Sequence, residues 1–206
     1  MNATTRSADR PRVYLAGPEV FLPNAAELGA EKCRLASSAG FEGVFPLDVA
    51  LDFGGLSPGE CARRIALANE TLIQSSDLLI ANLTPFRGVS VDSGTAFEVG
   101  YMRALGRPVL GYTNTGDDFT TRSHRYRDGV RLPFDGDRPD VAIENFGLAE
   151  NLMIAVAHSE SGAEVIRKAK PLEEVTIGRL DGFIEALEIA RRLFGLSLQE
   201  PDNARP

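Results

Sequence analysis

A chain of 206 residues with 43% hydrophobic and 25% charged positions has the composition of one ordinary globular domain, large enough to bury its own core. Its formal net charge of −7 argues against binding nucleic-acid polymers, which need a basic footprint. No apolar run approaches the roughly 18–20 residues that cross a bilayer, and the polar first eleven residues lack the apolar segment of a signal peptide. Cys33 and Cys61 fall inside predicted helices and read as buried thiols of a cytoplasmic protein. With only these and two isolated histidines, His124 and His158, no metal-ligand spacing exists, so no metal or other cofactor is expected.

In chain order, residues 1–11 read as a flexible N-terminus, and Arg12 to Ala16 is a short apolar strand ended by the turn Gly17-Pro18. Asn24 can cap a helix running to about Ser38 and closed by Gly40. Gly43 to Leu47 reads as a second strand, followed by the glycine-rich loop Asp52-Phe53-Gly54-Gly55. Ser57-Pro58 with Glu60 starts a second helix, whose Cys61, Ile65, Ala68 and Leu72 are spaced to form one inward face. Leu78 to Leu83 is continuously apolar, as suits a central strand covered on both sides, with Asp77 as a structural residue at its start. Thr84 to Gly88 is a loop, a third helix follows, and Val109 to Tyr112 is a fourth strand.

Strand and helix alternating four times predict an open parallel sheet with helices on both faces. Ligands in such sheets sit beyond the carboxyl ends of the strands, here Gly17-Pro18-Glu19, Pro46-Leu47-Asp48, Asn82-Leu83-Thr84 and Thr113-Asn114. No dinucleotide or triphosphate glycine motif is present. Residues 113–142 show no periodicity and read as a long loop covering a site. Asn145 to Leu148 is a turn, Ala149 to Ala157 a helix start, and Leu180 to Phe194 a last amphipathic helix before a flexible tail over 196–206. The folded domain is thus expected over 12–195.

The chemistry is expected in Val89 to Tyr101, a loop entering the third helix with Asp92 or Ser93 as N-cap. Phe97, Tyr101, Ala104 and Leu105 form an apolar stripe expected to face the core, with Glu98 on its flank. The core desolvates that carboxylate while the positive end of the helix favours its anion. Asp92 can lean over the same spot, and two such acids suit a nucleophile or base beside an acid. A capping aspartate next to a surface glutamate would share this spacing.

Three segments resemble the nucleoside 2-deoxyribosyltransferase family: Tyr14 to Phe21 (YLAGPEVF), Asp77 to Tyr101, and Asn145 to Met153 (NFGLAENLM). The middle one is long and specific. The resemblance implies a flavodoxin-like, Rossmann-like α/β domain that cleaves the N-glycosidic bond of a 2′-deoxynucleoside and passes the deoxyribosyl group to a second purine or pyrimidine base. It puts Glu98 on the nucleophile that attacks C1′ and Asp92 on the residue that exchanges a proton with the base. Tyr14 matches a phenol holding the nucleophile and Phe21 an aromatic of the base pocket. Asn151, with Met153 beside it, corresponds to a residue lent by a neighbouring subunit to the 5′-hydroxyl, which would require a homo-oligomer, dimer or hexamer. Asn69 stands where lactobacillal members carry an aspartate, and an amide there can bind substrate but not transfer a proton. Gly17 is expected among the substrate-binding residues, Asp48 and Glu19 sit at strand ends as pocket-facing acids or solvated loop acids, and Arg87 could pair with Asp92 or face water.

Two rival functions remain at this stage. A 2′-deoxynucleoside 5′-monophosphate N-hydrolase needs phosphate-binding groups, whereas Gly17-Pro18-Glu19 is acidic and short of N–H donors. A non-catalytic nucleotide-binding module would keep its ligand when Glu98 becomes glutamine.

Overall fold

The computed structural model describes residues 10–46, 52–129, 140–168 and 176–196. Asp48, the outer part of the N-terminus, residues 130–139 of the expected long loop and the tail from 197 lie outside them. Five strands form one parallel sheet: β1 (Arg12–Ala16), β2 (Glu42–Val44), β3 (Leu78–Asn82), β4 (Val109–Thr113) and β5 (Ile166–Arg167), in the order β2-β1-β3-β4-β5. β3 is buried along its whole length at the centre, paired Val13 to Leu78 on one side and Leu79 to Val109 on the other. Asp77 ties the start of this strand to its neighbour, accepting the Arg12 backbone N–H at 2.8 Å. This is the flavodoxin-like doubly wound order, whose chain path reverses between β1 and β3.

The strands' alternation divides the core. Val13, Leu15, Leu78 and Ile80 pack against α1 (Ala25–Ser38) and α6 (Asp181–Leu193), which brings in Ala36, Phe183, Ala186, Leu187 and Ala190. Tyr14, Ala16, Leu79 and Ala81 face α2 (Pro58–Gln74), α3 (Ser93–Ala104) and α5 (Leu152–Ser159) through Ile73, Val99, Met102 and Ala157. α2 begins as expected: Ser57 accepts from the Glu60 N–H at 3.3 Å while Glu60 accepts from the Ser57 N–H at 2.9 Å, a closed capping box. α5 lies close on β4, because a Cβ at Gly111 would come within 2.5 Å of the His158 ring. Burial there pushes His158 down to about 4, and its Nδ1 lies 2.7 Å from the Ile154 carbonyl.

Several expectations are corrected. The buried face of α3 is Thr95, Val99 and Met102, not the aromatic stripe; Phe97 is 58% exposed and Leu105 41%. The β-branched Thr95 and Val99 and the unbranched Met102 fit α3 against the sheet, Tyr101 packs at the edge of that core, and Phe97 and Leu105 point outward. In α2 only Ile73 is fully buried and Ile65 is 45% exposed, so of the expected Cys61/Ile65/Ala68/Leu72 face it is Leu72 that packs against this chain's core. Both cysteines are half-buried, and neither forms a disulfide. β2 ends at Val44, and α5 starts at Leu152, capped by Asn151, not at Ala149. The segment expected as a long loop contains α4 (Phe119–Gly129), which has no apolar stripe because its anchor is a buried arginine, Arg122. The two-residue β5 was too short to register as a pattern.

Candidate active site

Beyond the carboxyl ends of β1 and β3, at the reversal in strand order, lies a cleft of about 290 Å³. The turn after β1 supplies Gly17, Val20 and Phe21, the end of β2 supplies Pro46, and α2 supplies Ile65 and Asn69. The first two turns of α3 contribute Asp92, Gly94, Thr95 and Glu98. Tyr14 on β1 is fully buried and points to the α3 side of the sheet, where its hydroxyl donates to Glu98 Oε1 at 2.6 Å. Asp92 is the N-cap of α3, accepting from the Thr95 N–H at 3.1 Å, and also lines the cleft. The capping role and the place in the cleft therefore coexist in one side chain.

Burial raises Glu98 to about 7; the Tyr14 hydrogen bond opposes this, the neighbouring Asp92 charge adds to it and Lys32 opposes it. Burial is the largest of these influences, so the core's desolvation of this carboxyl, expected from its place on the flank of α3, raises it overall. Tyr14 is itself pushed far up, first by burial and then by the Glu98 charge and hydrogen bond, so it stays a donor throughout the ordinary pH range. The pair is a carboxyl that titrates near neutrality, aimed into a cleft by a permanently protonated phenol.

Under this site lies a polar cluster that sequence reading missed. Glu19 is fully buried, not a pocket acid: its Oε1 accepts from Lys32 Nζ at 2.9 Å, Asn82 Nδ2 at 3.0 Å and the Tyr112 hydroxyl at 3.1 Å. Lys32 is equally buried and lies 5.0 Å from the centre of the Phe183 ring. A signal was available, since Ala25, Gly29, Lys32 and Ala36 are the buried face of α1 and the lysine occupies a core position in that period. Because Lys32 neutralises Glu19, the acidity of the Gly17-Pro18-Glu19 turn is no argument against a phosphate. Gly17 is required for space: a Cβ there would come 2.0 Å from Glu19 Oε2 and 2.9 Å from Asn82.

A second buried pair fixes the loop before Asp92. Arg122 of α4 donates to the Val89 carbonyl at 2.8 Å, the Asp117 carbonyl at 2.7 Å, the Ala149 carbonyl at 2.9 Å and Glu150 Oε2 at 3.1 Å. Glu150 in turn accepts from the Ser90 hydroxyl at 2.6 Å and the Val91 N–H at 3.1 Å. Asn151 caps α5 through the Met153 N–H at 3.0 Å and donates to Glu144 Oε1 at 2.6 Å.

Of the residues expected at the site, Gly17, Phe21, Asn69, Asp92 and Glu98 line one cleft with Tyr14 behind it. Asn151 and Met153 do not line it, and Met153 is 73% exposed. No described residue of 113–129 lines it either. Arg87 forms no ion pair with Asp92; it stacks on Phe21 and Phe86. The reading missed Thr95, Gly94 and Ile65, each three or four positions from a chosen residue and so on its helical face. Among the described residues no group of three or more His, Cys, Asp or Glu could hold a metal ion.

The family model for nucleoside 2-deoxyribosyltransferases matches residues 13–153. Over 119 residues the chain is 40% identical to an uncharacterized protein of Schizosaccharomyces pombe, in an alignment covering 57% of this chain and 56% of that protein. The chain thus spans about half the length of that curated relative. Among solved structures, a 2-desoxiribosyltransferase from Leishmania mexicana is 27% identical, with a TM-score of 0.57 over 85% of this chain and 97% of the other. A conserved protein from Enterococcus faecalis, 19% identical with a TM-score of 0.52 over 88% of this chain and 99% of its own, shares the fold.

Proposed function

Because this chain belongs to the nucleoside 2-deoxyribosyltransferase family, we propose that it moves a 2-deoxyribosyl group between nucleobases through a covalent ester on Glu98. The Glu98 carboxylate bonds to C1′ of the bound deoxynucleoside as the C1′–N bond breaks, and the bond's electron pair leaves with the base. Asp92 gives the departing base nitrogen a proton and takes one back when the acceptor base attacks C1′ and frees Glu98. Tyr14 orients Glu98, and Asn69 and Phe21 contact the substrate. What carries the reading is the 2.6 Å bond from Tyr14 to a carboxyl that shares its cleft with Asp92.

The test is direct: incubation with deoxyinosine and adenine should yield deoxyadenosine, and thymidine with adenine then separates purine-only from broader exchange. Free base without any new nucleoside would replace this reading with the hydrolase.

The nucleophile must be ionised. With Glu98 near 7, kcat/KM for the donor should rise about tenfold per pH unit below neutrality and level off above it. Tyr14→Phe removes the hydrogen bond that lowers Glu98, so its rising limb should move to higher pH. An unchanged limb in that variant would mean that Tyr14 does not tune Glu98.

We also propose a homo-oligomer, a dimer or hexamer in which Asn151 of one copy completes a neighbour's cleft. Phe97, Met153, Ile65 and Val156 support it as apolar side chains 45% or more exposed on α2, α3 and α5. The substrates are 2′-deoxynucleosides and free bases. Half-buried Cys33 and Cys61, outside any disulfide, fit the reducing cytoplasm; no helix among the described residues is long and apolar enough to cross a membrane.

A further inference from the structure

The loop from β3 to α3 holds a strained residue with no part in the chemistry above. Arg87 is the one described non-glycine residue with a left-handed backbone, at φ 57°. Side chains with a Cβ persist there only where the surroundings over-determine them, and such positions cluster at binding sites. Arg87 makes no hydrogen bond or ion pair among the described residues, so neither explains its conformation. Its guanidinium lies 4.9 Å from the centre of the Phe21 ring and 4.6 Å from that of Phe86. The two rings are stacked at 5.3 Å with 12° between their planes. With these three separations so alike, the cation straddles both rings rather than capping the end of a column. The loop is closed behind it by the Phe86 N–H donating to the Ser90 carbonyl at 3.0 Å.

Phe21 is the member of this cluster that lines the cleft, and it remains 52% exposed. An aromatic ring half in solvent would ordinarily swing between rotamers. Here Phe86 stacks on it and Arg87 lies against both rings, so the part of the ring that lines the cleft is a fixed flat surface for a planar heterocycle. Stacking on a fixed ring is sequence-tolerant for bases and gains most when the ring is already in place.

We propose that Arg87, acting through Phe86 and Phe21, is a positioning residue that sets the affinity of the cleft for its nucleobase. The inference rests on the transferase reading for the identity of that base. Larger heterocycles overlap more of the Phe21 ring, so purines depend on Arg87 more than pyrimidines do.

The test compares wild type with Arg87→Gly, Arg87→Lys and Phe86→Leu, measuring adenine binding by calorimetry and adenine-dependent exchange kinetics. Arg87→Gly relieves the left-handed backbone, so its fold is kept while the guanidinium is lost. An exposed cation–π contact corresponds to about a twofold to fivefold change in affinity. We expect Arg87→Gly to weaken adenine binding and raise its KM by that factor, with kcat within about twofold. Arg87→Lys should recover part of the loss, and Phe86→Leu, outside the cleft, should raise KM in the same way. Unchanged adenine affinity in Arg87→Gly overturns the inference, as does a fall in kcat at unchanged KM. If wild type exchanges bases while the variants match it, only this inference fails; if wild type neither binds adenine nor exchanges, the transferase reading fails with it.

Discussion

Glu98→Gln should lower base exchange by at least about a thousandfold while leaving the protein folded. Glutamine keeps the shape and an oxygen that can accept from the Tyr14 hydroxyl, the 2.6 Å contact seen with glutamate. It cannot form the ester with C1′ and has no charge to drive the attack. The stability change has a definite sign. An unfolded glutamate ionises near 4.5, but burial raises Glu98 to about 7 in the folded chain. Between those values the unfolded state has already lost the proton that the folded state keeps, so stability falls as pH rises through this window. The neutral glutamine escapes that cost, and at pH 8 the variant should unfold at a higher denaturant concentration than wild type. An enzyme that becomes inactive and more stable at once marks a site held at the expense of stability. Intact-protein mass spectrometry with a slow fluorinated deoxyribose donor supplies the companion measurement. Wild type should carry the adduct on the peptide bearing Glu98 and the variant should not. Exchange within tenfold of wild type, or no adduct on wild type, sinks the mechanism.

Lys32→Met should cost about 3–5 kcal/mol of stability, because it leaves the fully buried Glu19 carboxylate without its cation. For a domain of this length that corresponds to a fall of roughly 6–20 °C in Tm. The apolar stem of methionine fits beside Phe183 and Tyr112, whose ring centres lie 5.0 and 5.9 Å from Lys32 Nζ, so the loss is electrostatic more than steric. Glu19→Gln combined with Lys32→Met should recover most of it, since the amide still accepts from Asn82 and Tyr112 and no charge stays buried. If the single variant is as stable as the double, Glu19 is not held by Lys32 and the two are independent. The same lysine lowers Glu98, so the single Lys32→Met variant should also show its acid limb displaced upward.

Much of this molecule is readable along the chain because the information is local. Runs such as Leu78 to Asn82, the Ser57-Pro58-Glu60 helix start and the spacing of Phe183, Leu187 and Ala190 depend only on neighbours within a few residues. So does the placing of Asp92 and Glu98 on the first turns of one helix beside a cleft. The strand–helix alternation then implies the parallel sheet and hence the end at which ligands gather.

Periodicity could not say which side of α3 meets the sheet. Phe97 and Tyr101 look like the core stripe, but the sheet accepts the narrower Thr95, Val99 and Met102. A spacing rule counts hydrophobicity and carries no shape. Nor could it decide the ionisation of Glu98, whose hydroxyl partner is 84 positions away. The sign of that shift is a contest between lost water and three separate side chains, and only their final distances settle it. Glu19 makes the same point: as a loop acid it reads as solvated, and it becomes a core residue once α1 brings Lys32 to 2.9 Å. Sequence by itself determined most of the elements, their order and the acids on offer, though not α4 or β5. Tertiary structure decided which groups lost water and what stood beside them, because desolvation and Coulomb energy depend on distance in space and not along the chain.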